Sequence, residues 1–133
     1  MADKSASPDK TLMSVAFIKR KPELTVEQFY DHWANVHGPL VKPWAQRFGL
    51  IGYTQVHLKP ELNTVAPIGP ESKEESPLAG YDGCAIMEIS NFDQFAEAFK
   101  DDYYVNQIAA DEAKFIDKKV GVVRARGEVN RVI

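Results

Sequence analysis

Apolar positions fall on both sides of a two-residue alternation along Thr11–Arg20, with Met13, Val15 and Phe17 on one face and Leu12, Ala16 and Ile18 on the other. A strand apolar on both faces is covered on both. Lys21-Pro22 ends it, because proline removes a ladder donor. Thr25 and Gln28 then have the spacing of a capping box, so a helix opens there. Val26, Phe29, Trp33, Val36 and Leu40 form its apolar stripe, and His37-Gly38-Pro39 predicts a break before a second piece, Leu40–Phe48, stopped by Gly49.

Strand alternation returns in Leu50–Lys59, with Thr54, Val56 and Leu58 on one face and Tyr53, Gln55 and His57 on the other. No period holds over residues 60–80, where four prolines and an acidic cluster predict an inserted loop, either a lid or a disordered segment. Tyr81–Ser90 is the third strand. Asn91 opens a helix with Phe92, Phe95, Ala96 and Phe99 along its stripe, Asp101-Asp102 interrupts it, and Tyr104–Asp117 resumes it. Val120–Arg126 is the last strand. The order β-α-β-β-α-β is the ferredoxin-like arrangement of the α+β class. The expected organisation is a disordered leader at residues 1–10, one domain over 11–127 and a tail at 128–133. Two helices cover one sheet face. The other, with Met13, Val15 and Phe17, requires a partner layer, most simply a second copy of the chain.

Composition narrows the picture without naming a function. The chain has 133 residues, 44% of them hydrophobic, a net charge of −3 and one cysteine. One domain of this size folds without disulfides. An acidic chain with no Lys/Arg block is not expected to bind nucleic acid. The absence of a long apolar run or a secretory leader points to a soluble, cytoplasmic protein with no membrane association. Cys84 has no basic cluster near it in sequence and reads as an inert thiol.

The candidate chemistry is imidazole chemistry, since histidine exchanges protons near neutral pH. With Thr54, Val56 and Leu58 packed under the helices, His57 would point into the space between sheet and partner. His37 ends the first helical run, where it either leans into a cavity or caps the helix. His32, on the other flank of the stripe, reads as structural. Asp82 either orients a histidine or is solvated. Tyr53, Gln55, Tyr30, Trp33, Trp44, Tyr81 and Phe17 are candidate lining residues. His32 and His37 lack the i, i+4 spacing of helical metal ligands, and no glycine-rich cofactor loop is present, so neither metal nor cofactor is expected.

The stretch F-Y-D-H-W-A-N-V-H-G-P-L at 29–40 resembles the EthD branch of the dimeric α/β-barrel superfamily. I-K-R-K-P-E-L-T at 18–25, Y-T-Q-V-H at 53–57, Y-D-G at 81–83 and D-E-A-K-F-I-D at 111–117 agree with it. The combination is most similar to fungal dehydratases and decarboxylases of aromatic polyketide pathways, including those acting on atrochrysone-type carboxylic acids. The resemblance implies a homodimeric barrel and a cofactor-free lyase acting on a bulky phenolic acid. His57 and His37 would be the acid/base pair, with Asp82 fixing an imidazole tautomer. A cofactor-independent anthrone-type oxygenase, a polyketide cyclase and a non-catalytic aromatic-binding or stress-type barrel are the other activities open to such a scaffold.

Overall fold

The computed structural model describes residues 10–62 and 77–133; most of the expected leader and of the 60–80 loop lies outside them. Strands β1 (Leu12–Ile18), β2 (Gly52–His57), β3 (Gly83–Ile89) and β4 (Val123–Glu128) form one antiparallel sheet in the order β2-β3-β1-β4. Helices α1 (Val26–His32) and α2 (Gly38–Arg47) connect β1 to β2, and α3 (Phe92–Ala98) and α4 (Ala109–Phe115) connect β3 to β4. This is the ferredoxin-like fold that the alternation and helical stripes imply. β4 begins three residues later than the Val120 expected, because Gly121 takes a positive φ of 89° that ends the preceding turn.

The capping box at Thr25 forms in full. Thr25 Oγ1 accepts from the Gln28 N–H at 3.1 Å, and Gln28 Oε1 accepts from the Thr25 N–H at 2.9 Å. Asn91 caps α3 by accepting from the N–H groups of Asp93 and Gln94.

The expected break at His37-Gly38-Pro39 does not occur. The chain passes from α1 to α2 through a π-helical turn, Trp33–His37, in which the Gly38 N–H donates to the Trp33 carbonyl. Gly38 keeps helical angles, φ −52° and ψ −52°, despite the following proline. The wider turn absorbs the missing Pro39 donor and changes which side chains face inward. Val36, expected on the buried stripe, is 44% exposed, while His37 is 4% exposed. A second π-helical turn, Tyr104–Ile108, leads into α4.

The helices cover the sheet face bearing Leu12, Ser14 and Ile18, and Phe29, Trp33, Trp44, Ile108 and Phe115 are buried against it. Met13, Val15 and Phe17 lie on the outer face, as alternation implies. For β2 the expected sides are reversed. Thr54 and Val56 are on the exposed outer face, and Tyr53, Gln55 and His57 turn toward the helices.

Candidate active site

A cavity of about 340 Å³ lies between the sheet and its own helices. The expected location, between the sheet and a partner layer, is therefore corrected: this cavity lies on the helical side of the sheet and is lined by residues of one chain. Ser14 and Ala16 of β1, Tyr53 of β2 and Ala85 and Met87 of β3 make its floor, and small side chains at 14, 16 and 85 leave room above the sheet. Trp33, Val41, Trp44, Phe99 and Ile108 wall it from the helical side, and both π-helical turns contribute to this lining. Trp44 is held there by its indole N–H, which donates to the Ala98 carbonyl at 2.8 Å.

His37 reaches this cavity. Its Nδ1 lies 2.9 Å from Asp111 Oδ2. A carboxylate only accepts, so Nδ1 carries the hydrogen and Nε2 keeps its lone pair. Burial pushes the His37 pKa below the usual imidazole value, opposed by the Asp111 hydrogen bond and by the charge of nearby Glu112. A neutral imidazole with its tautomer fixed from behind is equipped to take a proton.

Asp111 is 3% exposed and bridges two histidines, with Oδ1 2.9 Å from His32 Nε2. His32 and His37 both pack against the Phe115 ring, with centroids 4.9 Å away. His32 thus has a structural place, while Asp111 is the candidate site residue that sequence reasoning missed. A signal existed: Ile108, Asp111 and Phe115 lie at helical spacing, which puts the carboxylate on the buried stripe.

His57 sits elsewhere. It is stacked between Tyr30 and Trp33, with ring centroids 4.8 and 5.0 Å away, and borders a separate surface recess with Glu27, Lys59 and Glu61. Gln55 Nε2 donates to the Trp33 carbonyl at 2.8 Å and to Tyr53 Oη at 3.2 Å. Its Oε1 therefore accepts from His57 Nε2, 3.1 Å away. Burial and the charge of Lys59 lower the His57 pKa. The Tyr30 hydroxyl, beside it, is buried without a hydrogen-bond partner among the described residues, and burial with nearby Asp82 pushes its pKa up to about 12.

Asp82 does not orient a histidine. Its carboxylate accepts from the Arg20 backbone N–H at 2.9 Å and approaches the Arg20 guanidinium at 3.7 Å, pinning the end of β1. Of the candidate lining residues, Tyr53, Trp33 and Trp44 line the cavity, whereas Gln55 and Tyr30 stand behind it. Phe17 and Tyr81 meet edge to face, 6.5 Å apart, with Phe17 on the outer side of the sheet, away from the cavity.

Tyr104, Glu112, Lys118 and Arg124 add further polar groups to the lining. Tyr104 Oη donates to Glu112 at 3.3 Å, and Lys118 Nζ also lies 3.3 Å from that carboxylate. Burial and Glu112 push the Tyr104 pKa up, while burial raises that of Tyr53. Among the described residues, no group of three or more His, Cys, Asp or Glu is arranged to hold a metal, and no helix is long and apolar enough to cross a membrane.

A sequence model of the EthD domain matches residues 21–119. A dehydratase of Ustilaginoidea virens is 25% identical over 100 residues, covering 75% of this chain and 71% of that protein. A decarboxylase of Passalora fulva is 26% identical over 102 residues, covering 75% of this chain and 64% of its own length. Among solved structures, a dimeric protein of ferredoxin-like fold from Bacteroides fragilis superposes with a TM-score of 0.54 at 10% identity, covering 91% of this chain and 96% of that one. At that identity the likeness is one of fold.

Proposed function

Because the chain belongs to the EthD domain family, with relatives that include a dehydratase and a decarboxylase, we propose that it is a lyase acting on an aromatic polyketide carboxylic acid in secondary metabolism, with His37 as its proton-transferring group. The observation that carries this reading is the His37–Asp111 hydrogen bond at the wall of a mostly apolar chamber. Burial of fused rings against Trp33, Trp44 and Phe99 supplies affinity at about 25 cal/mol per Å² of apolar area.

Elimination of water fits the protonation state best. His37 Nε2 takes the proton alpha to the substrate's carbonyl. The electron pair of that C–H bond forms the new C=C bond, the β-hydroxyl leaves, and the imidazolium returns the proton to it as water. Asp111 stabilises the imidazolium during this exchange. Decarboxylation requires the opposite starting point, a protonated donor facing carbon, which burial of His37 disfavours. His57 is assigned a supporting place: it holds the Gln55 amide that in turn meets Tyr53. The test is incubation of wild type and His37→Gln with a fused-ring β-hydroxy aromatic acid, followed by mass spectrometry. Loss of water by wild type and not by the variant supports the reading; equal turnover by both overturns it.

A homodimer is part of the same reading. The outer face carries Met13, Val15, Ile86 and Val56 with no helix over it, and the Bacteroides fragilis protein of like fold is dimeric. Val56→Glu places a charge at a 36% exposed position on that face. It is expected to halve the mass seen by light scattering; an unchanged monomeric or dimeric mass in both proteins argues against this face as the interface.

A further inference from the structure

We propose that Arg124 anchors the carboxylate of the substrate at the rim of the cavity and is the residue that makes the site select acids over neutral aromatics. The inference rests on the lyase reading above and names a specificity determinant for it. Three ionic side chains besides the histidine line the chamber: Glu112, Lys118 and Arg124. Glu112 and Lys118 pair with each other at 3.3 Å. Arg124 makes no ion pair with a carboxylate among the described residues. Arg124 is thus the cation of the lining left without a carboxylate partner among the described residues.

The placement suits an anchor. Arg124 lies on β4, the edge strand, directly across from Ala16, whose small side chain forms cavity floor. It is exposed, so a guanidinium there meets a ligand at the opening, while the apolar walls lie deeper. It is also near enough to Tyr104 to oppose the upward shift of that phenol. Arg126, the next inward-facing residue on the strand, is engaged differently: its guanidinium lies over the Phe92 and Phe95 rings, 5.2 and 5.6 Å from their centroids. The guanidinium fork matches a carboxylate in two parallel hydrogen bonds, which an ammonium cannot reproduce. An acid held this way keeps its carboxylate through the reaction. Stabilising that charge in the ground state opposes its departure as carbon dioxide and leaves elimination of water at the inner end unaffected.

The probes are anthraquinone-2-carboxylate and its methyl ester, followed by quenching of Trp33 and Trp44 fluorescence. Wild type is expected to bind the acid about tenfold tighter than the ester, with the difference shrinking as sodium chloride is raised. Arg124→Gln is expected to lose that preference by weakening the acid alone, and Arg124→Lys to keep part of it. Equal weakening of both ligands in Arg124→Gln, or an intact preference, overturns the assignment while leaving the lyase reading standing. Binding of neither probe by wild type overturns the aromatic chamber on which both rest. Arg124→Lys, which retains the alkyl stem, guards against a folding defect read as lost affinity.

Discussion

His37, at the end of a π-helical turn, and His57, on β2, both lie between the sheet and the helices, yet they stand in opposite circumstances. His37 is buried, has a carboxylate behind it and a cavity in front. His57 is half exposed, sandwiched between two aromatic rings, and has a neutral amide as its partner. An imidazole becomes a base through what holds its far nitrogen and through exclusion of water, and only the first environment supplies both. In the proposed reading the second makes the ring a packing element that happens to be polar.

The sharpest way to break this contrast is to exchange the two sites' fates. His37→Gln is expected to lower kcat about 10²–10⁴-fold, and His57→Gln to change it by less than about tenfold, measured on the same fused-ring acid. The reverse ranking would make the stacked ring the catalyst. Next in size is the group behind His37. Asp111→Asn offers both histidines an amide where they had a carboxylate. It is expected to lower kcat more than it raises KM and to cost about 1–3 kcal/mol in urea unfolding. The corresponding change behind the other ring, Gln55→Glu, is expected to leave kcat within a few-fold.

Gly83 tests the packing role from the side of the stack. A Cβ there would meet Trp33 Cζ3 at 2.5 Å, and the Trp33 ring also flanks His57. Gly83→Ala is expected to destabilise by about 1–3 kcal/mol with the acid limb of the pH profile unmoved. A stability loss with a shifted limb would mean that the two sites communicate.

Titration separates them further. The folded state holds His37 at a pKa below the unfolded value of 6.5. Between those two values the unfolded chain binds more protons, so stability rises with pH there and is lost as pH falls below about 6.5. The acid limb of kcat/KM is expected to lie below the usual imidazole range and to vanish as a single-proton limb in His37→Gln. The smallest effect belongs to Tyr30→Phe. Its hydroxyl has no partner among the described residues, so removal is expected to leave stability unchanged or raise it by up to about 1 kcal/mol in the same unfolding assay.

Much of the scaffold was legible because the sequence uses local rules where the fold needs them. The Thr25–Gln28 box, the Asn91 cap and the alternation of β1 each describe a short-range interaction that forms as written. The sides of β2 were not legible. Its more apolar set, Thr54 and Val56, faces outward, because the inward set builds a chamber with polar lining and support. The rule that the apolar face goes under the helices presupposes a solid core. The inward turn of His37 was hidden too. A 100° step places Val36 on the buried stripe, and only the π-helical turn brings the next residue in its place. Asp111 was obscured by its company, since an acidic residue in D-E-A-K on a helix ordinarily reads as solvated. Asp82 drew attention through its strand neighbours, but its actual partner, Arg20, is distant in sequence.

The two π-helical turns can be counted as single-residue insertions, one between β1 and β2 and one between β3 and β4. Excising one residue from 33–37 would restore ordinary winding and rotate everything upstream by about 100° relative to everything downstream. Trp33 and the Asp111 partner His32 would then swing away from their present bearings together. In this sense the geometry of the candidate site is stored as a phase difference along two screws. A descendant of this chain could gain or lose it by one codon without altering any of the side chains that compose it.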